Sequence, residues 1–188
     1  MARRYNSGMS AKEKLLDAFE DILISQGENA ATLDAVAQKA GVSKGGLLYH
    51  FPSKTALITG LTDRLEERMN EDISLMQQAP GGVAAYYIRT SSITDDAYAR
   101  TLIAATKLSG PHTARIVELQ RNGQRTILEL LTEQTGSVAA AQALLLIGDG
   151  LYHNSLIDGE CSTARMPNLA ENLSTISALL GAEDSATN

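Results

Sequence analysis

From Leu15 to Leu151 the apolar residues recur at steps of three and four, and no stretch alternates at steps of two. That period gathers side chains on one face of a helix and cannot line one face of a strand, so it predicts an all-α chain. Start and stop signals divide it. Ser10-Ala11-Lys12-Glu13 reads as a capping box ahead of a helix that carries Leu15, Phe19, Ile22 and Leu23 and ends at Gly27. Thr32 caps a second, Leu33–Ala40, with Gly41 as a left-handed stop. Ser43 caps a third from Lys44 to about His50, halted by Pro52, because a residue before proline is pushed out of the helical region. From Ser53 a seam of Leu57, Leu61, Leu65, Met69, Ile73 and Met76 runs unbroken to Pro80-Gly81-Gly82. Further helices are expected at 83–91, 95–109, 112–135, 137–157 and 165–180. The division this predicts is a three-helix domain over 1–52 with a short N-terminal arm, a helical domain over 53–182 and a disordered tail, 183–188.

With 188 residues, 44% hydrophobic and 20% charged, the chain can bury one good core and a small satellite, which excludes a large multidomain enzyme. No apolar run approaches the roughly 18 residues that span a bilayer; the longest, Val138 to Ile147, is broken by Gln142. No apolar stretch follows Arg3 and Arg4, so no secretory signal is read and a cytoplasmic, membrane-free protein is expected. Cys161 stands alone, which excludes an internal disulfide and a cysteine-cluster zinc site. The net charge of −6 is unevenly spread: through residue 54, seven Lys/Arg face six Asp/Glu, while beyond it nine face sixteen. A less acidic N-terminal quarter on an acidic body is compatible with nucleic-acid binding through one small face.

Two short helices joined by Gly41-Val42-Ser43, with small Ala37 and Ala40 at their crossing, have the spacing of a helix-turn-helix. The third helix opens with Lys44-Gly45-Gly46, and each glycine costs roughly 1 kcal/mol of helix stability relative to alanine. Absence of a side chain lets a helix end approach a phosphate or the floor of a major groove, a gain that offsets this cost. Tyr49, His50 and, across the Pro52 turn, Lys54 can all donate hydrogen bonds to phosphate.

Residues 10 to 57 resemble the DNA-binding domain of the tetracycline-repressor (TetR) family. The match lies in Thr32-Leu33-Asp34-Ala35-Val36-Ala37, Ala40-Gly41-Val42-Ser43-Lys44-Gly45 and Leu47-Leu48-Tyr49-His50-Phe51-Pro52-Ser53-Lys54. The resemblance implies that Thr32, Ser43, Tyr49, His50 and Lys54 clamp the DNA backbone while Lys44, Gly45 and Gly46 enter the groove. Leu48 stands where an aromatic residue is common, which makes apolar contact with a thymine methyl the alternative to a polar contact there.

The body is read from its own residues. Broad apolar faces on the last two helices, among them Leu144, Leu151, Leu169, Leu173, Ile176 and Leu180, predict a two-fold interface, and the resemblance favours a homodimer. Polar groups set within apolar helices, Tyr86, Tyr87, Tyr98, Thr101, Asn122, Asp149, His153 and Asn154, are candidates to line a pocket. Asp149 and His153 stand four apart on one helical face, a spacing that suits a hydrogen-bonded pair or a metal. The expected function is a transcriptional repressor that binds a near-palindromic double-stranded operator as a homodimer and is released by a small, largely apolar effector. No cofactor, resident metal or catalytic group is expected. The competing readings are a DNA-binding activator and a small helical enzyme or metal-binding bundle using Asp149, His153 and His112.

Overall fold

A computed structural model of the protein describes residues 9–91 and 96–158. The N-terminal arm before residue 9, the helix expected over 165–180, the tail, Cys161 and the interface candidates Leu169, Leu173, Ile176 and Leu180 lie outside the described residues. Within the described residues the regular structure is helical throughout: α1 (Ala11–Gln26), α2 (Leu33–Ala40), α3 (Lys44–His50), α4 (Lys54–Gln77), α5 (Gly82–Ser91), α6 (Ala97–Thr106), a 3-10 turn (Gly110–His112), α7 (Thr113–Thr135) and α8 (Val138–Asp158). The fold is the all-α arrangement that the apolar period predicts. None of these helices is long and apolar enough to cross a membrane.

The chain forms two compact units. The first takes the described residues up to Glu67 together with Arg100–Val117, and the second takes Arg68–Ala99 and the described residues from Glu118 onward. The first unit therefore reaches beyond residue 52, taking in half of α4 and a later segment of the chain. In it α1, α2 and α3 pack mutually around Leu15, Phe19, Leu23, Val36 and Leu47. Phe51 turns back beneath α4, where Gly60 leaves room for its ring. The later segment is tied to α1 and the loop after it by polar bonds: Arg100 to Asp21 at 2.5 Å, the Thr101 hydroxyl to Glu20 at 2.8 Å, and the Ser109 amide and hydroxyl to Glu28 at 2.9 and 2.6 Å.

At the centre of the first unit lies a charge that amphipathic patterning does not anticipate. Arg64 is buried on α4 and donates to Asp17 at 2.7 Å and Glu20 at 3.1 Å, and it is also paired with Glu13. Burial opposes ionisation of the guanidinium, but the surrounding carboxylates outweigh it and hold its pKa above the ordinary value. Three α1 carboxylates on successive turns converge on one α4 cation, which fixes the rotation of α4 against α1.

In the second unit α5 packs on α8 around Tyr87, Ile88, Leu131, Ala141, Leu144 and Leu151. Leu144 and Leu151 are thus core residues, which corrects their expected place on a dimer surface. The reason is that α8 is apolar on nearly every face, so its pattern does not select the face that turns inward. Leu146, 72% exposed, and Val138 take the outward positions instead.

Candidate nucleic-acid interface

The turn between α2 and α3 is built by local chemistry. The Thr32 hydroxyl oxygen accepts from the Ala35 amide at 3.2 Å and starts α2; Gly41 closes it with φ 66°, a left-handed conformation that favours glycine. Two residues later the Ser43 hydroxyl oxygen accepts from the Gly46 amide at 3.1 Å and starts α3. Leu47 is the buried anchor of α3, and the remaining side chains of that helix point away from the core.

What α3 presents is specific. Tyr49 is 84% exposed and Leu48 40%, so both side chains stand open to a partner on the outer face of α3. The Tyr49 and His50 rings meet edge to face with centroids 5.0 Å apart. Lys44, exposed at the first turn, lies 2.8 Å from Asp34 of α2, a surface pair that an incoming phosphate can displace cheaply. Thr32 and Ser43 are exposed on the same unit, their hydroxyl hydrogens not used by the capping bonds. Lys54 differs: its ammonium donates to the Glu28 carbonyl at 2.7 Å and lies 3.9 Å from the Glu28 carboxylate. The Ser109 hydroxyl, with Lys54 and His112 nearby, holds the Glu28 carboxyl below its ordinary pKa. Lys54 thus braces the loop after α1.

Gly45 and Gly46 part company in the structure. A Cβ on Gly45 meets nothing within 4 Å, whereas one on Gly46 would lie 2.9 Å from Val42 Cγ1 and 3.3 Å from Ser43 Oγ. Close approach to DNA can explain the first; packing of the turn explains the second. Gly45→Ala is therefore expected to raise stability by up to about 1 kcal/mol while weakening DNA binding, and Gly46→Ala to lower stability despite its better helix propensity. Denaturant melts of the two variants check this, and equal stabilisation by both would contradict it.

The pocket candidates scatter. Thr101 is fully buried in the first unit, bonded to Glu20 of α1. Asn122 is exposed on α7 and accepts from Arg125 at 3.3 Å. Asp149 accepts from the Tyr87 hydroxyl at 3.2 Å, so its partner comes from α5 rather than from His153, which is exposed. Burial, with the Asp149 carboxylate second, raises the Tyr87 pKa well above the ordinary phenol value. His112 belongs to the first unit, near Glu28, whereas Asp149 and His153 belong to the second. No group of three metal-ligating side chains occurs among the described residues. Tyr86, Tyr98 and Asn154 are half-buried in the second unit. Sequence reasoning missed Asp72, which accepts from the Tyr86 hydroxyl at 2.8 Å, and Tyr152. It also missed Arg64 and Glu20, although a signal was present: each stands three or four residues from a leucine of its helix's apolar face.

Comparison with known proteins agrees with the local geometry. The family described as bacterial regulatory proteins, tetR family, matches residues 15–61. The nucleoid occlusion factor SlmA of Edwardsiella ictaluri is 33% identical over 79 residues, 42% of this chain, and the same protein of Yersinia enterocolitica matches equally. The chain spans only 40% of the length of these relatives. Among solved structures, NalD of Pseudomonas aeruginosa, the secondary repressor of the MexAB-OprM multidrug efflux pump, superposes with a TM-score of 0.59 at 17% identity, covering 90% of this chain and 94% of its own. SmeT in its complex with triclosan gives 0.64 at 20% identity, with 91% of each chain covered. These likenesses extend the shared fold well past the first unit. From the buried face of α1 through the capped α2–α3 turn into α4, residues 15–61 carry the N-terminal pattern of the tetR family of bacterial regulatory proteins.

Proposed function

We propose that the protein is a ligand-responsive transcriptional repressor that binds double-stranded operator DNA as a homodimer through α3 and is released when a small effector occupies the second unit. The observation that carries this reading is the outward face of α3, where Tyr49, His50 and Leu48 stand exposed beside the open approach at Gly45. Tyr49, His50, Thr32 and Ser43 donate to phosphates, which sets position; Lys44, Gly45 and Leu48 face the major groove, where Leu48 meets a thymine methyl, while Gly46 serves the packing of the turn against Val42. Two-fold pairing presents two copies of α3 about one DNA turn apart, on a near-palindromic site. Because α4 and α6 each begin in one unit and end in the other, a ligand-induced shift in the second unit has a covalent helical route to the first. Release requires only that the effector prefer the non-binding conformation by a few kcal/mol. A cytoplasmic location follows from this role.

The test is Tyr49→Phe combined with His50→Ala, measured by fluorescence anisotropy on a duplex selected from a random pool and on a scrambled duplex. Loss of two phosphate donors is expected to weaken both complexes by a similar factor of about ten. Weakening confined to the selected duplex, or no weakening at all, would contradict the assignment.

A further inference from the structure

Four segments of the second unit bring polar aromatic and acidic groups together. Asp72 comes from α4, Tyr86 from α5, Asp96 and Tyr98 from the start of α6, and Tyr152 from α8. The Tyr86 hydroxyl donates to Asp72 at 2.8 Å, and Asp96 accepts from the Ala99 amide at 2.7 Å, capping α6. The Tyr152 hydroxyl oxygen is buried without a hydrogen-bond partner among the described residues. Buried hydroxyls are nearly always satisfied, so an orphan at a cluster of this kind marks a place where a ligand or water belongs. Two arginines flank the cluster: the Arg89 guanidinium lies 5.5 Å over the Tyr86 ring, and Arg68 donates to the Ala97 carbonyl at 2.9 Å.

We propose that this cluster is the effector-recognition site and that it takes an organic cation, a positive centre carried on an apolar or aromatic body. The inference rests on the reading of the chain as a ligand-responsive regulator. The Asp72 carboxyl feels the charge of Asp96, and a cation seated beside them gains from both at once, while Arg68 and Arg89 are already engaged with the Ala97 carbonyl and the Tyr86 ring. The tyrosine ring faces add quadrupole attraction for a positive centre, and Arg89 over Tyr86 already displays that preference on one ring. Burial, and after it the nearby carboxylates, raise the Tyr98 phenol well above its ordinary pKa and push Tyr152 up to about 12, so both are neutral donors at physiological pH. Burial likewise raises the Asp72 carboxyl, with Asp96 adding to the shift against the Tyr86 hydrogen bond. A cation relieves that strain on the charged form. The expected apolar character of the effector is kept in the body of the molecule and confined to it.

Calorimetric titration of the full chain tests the proposal with three probes of similar size: tetraphenylphosphonium, tetraphenylborate and neutral triphenylphosphine oxide. The phosphonium is expected to bind at least about tenfold more tightly than the neutral probe, with no binding of the borate. Asp72→Asn keeps an oxygen for Tyr86, and Asp96→Asn keeps one for the Ala99 amide; each is expected to weaken the phosphonium about tenfold at unchanged melting temperature. If one variant does not fold, the other decides. Binding of the neutral or anionic probe as tightly as the phosphonium, phosphonium affinity indifferent to these substitutions, or no phosphonium binding at millimolar concentration overturns the inference. These titrations contain no DNA. Failure of the folded chain to bind any duplex overturns the regulator reading alone, and an intact DNA complex without cation preference overturns only the present inference.

Discussion

Replacing Arg64 with methionine is expected to lower the unfolding free energy by about 3–5 kcal/mol, the cost of leaving a buried charge without its partner. The Arg64 side chain is only 5% exposed and that of Glu20 only 3%, so water cannot take over for either. Asp17 and Glu13 reach solvent more readily and suffer less. The double variant Arg64→Met with Glu20→Leu removes both buried charges and is expected to recover much of the loss, since an apolar pair of similar volume often matches a buried ion pair in stability. Denaturant unfolding followed by circular dichroism checks both. A single variant as stable as the parent, or a double variant worse than the single, would show that the ion cluster does not hold α4 to α1.

The second large effect separates two glycines of one helix. A Cβ at position 148 would come within 2.6 Å of Tyr87 Cζ and 2.8 Å of its hydroxyl oxygen, and it would press still harder on Cε1. Gly148→Ala must push aside a ring held by Asp149, the Leu145 carbonyl and the core around it, at an expected cost of about 1–3 kcal/mol. Gly150, two residues on, lies exposed, and a methyl group there would meet nothing within 4 Å. Gly150→Ala is therefore expected to gain up to about 1 kcal/mol from helix propensity. The same substitution in the same helix thus changes sign. Melting curves of the two variants that shift in the same direction would contradict this packing of α5 on α8.

How much of this is legible in the sequence depends on whether the deciding interaction is local. Caps are local: Ser10, Thr32 and Ser43 each accept from an amide three residues on, and Gly41 takes the left-handed turn, as their positions predict. The exposed face of α3 is legible for the same reason, since Leu47 alone of that helix is drawn into the core. Partnerships between distant segments are not. Asp149 has a histidine four residues away, yet Tyr87, distant in sequence, is the group that reaches it. Thr101 looks like a pocket residue because it is polar within an apolar helix; in the fold that polarity serves Glu20 of α1. Periodicity sends Leu144 and Leu151 to the wrong surface because a helix apolar all round carries no directional signal. At Gly46 the missing side chain suggests an open approach, where in fact Val42 fills the space.

That α3 is the face that meets DNA is tested most directly by amide hydrogen exchange, comparing the full chain with and without a duplex selected from a random pool. Slowed exchange is expected to concentrate in the α2–α3 segment, from Thr32 through Ser43 to His50 and Lys54, because this is where phosphate and groove would screen the backbone and side chains. Slowing confined to α7 or α8, or a bound duplex that leaves the α3 amides unchanged, would contradict it.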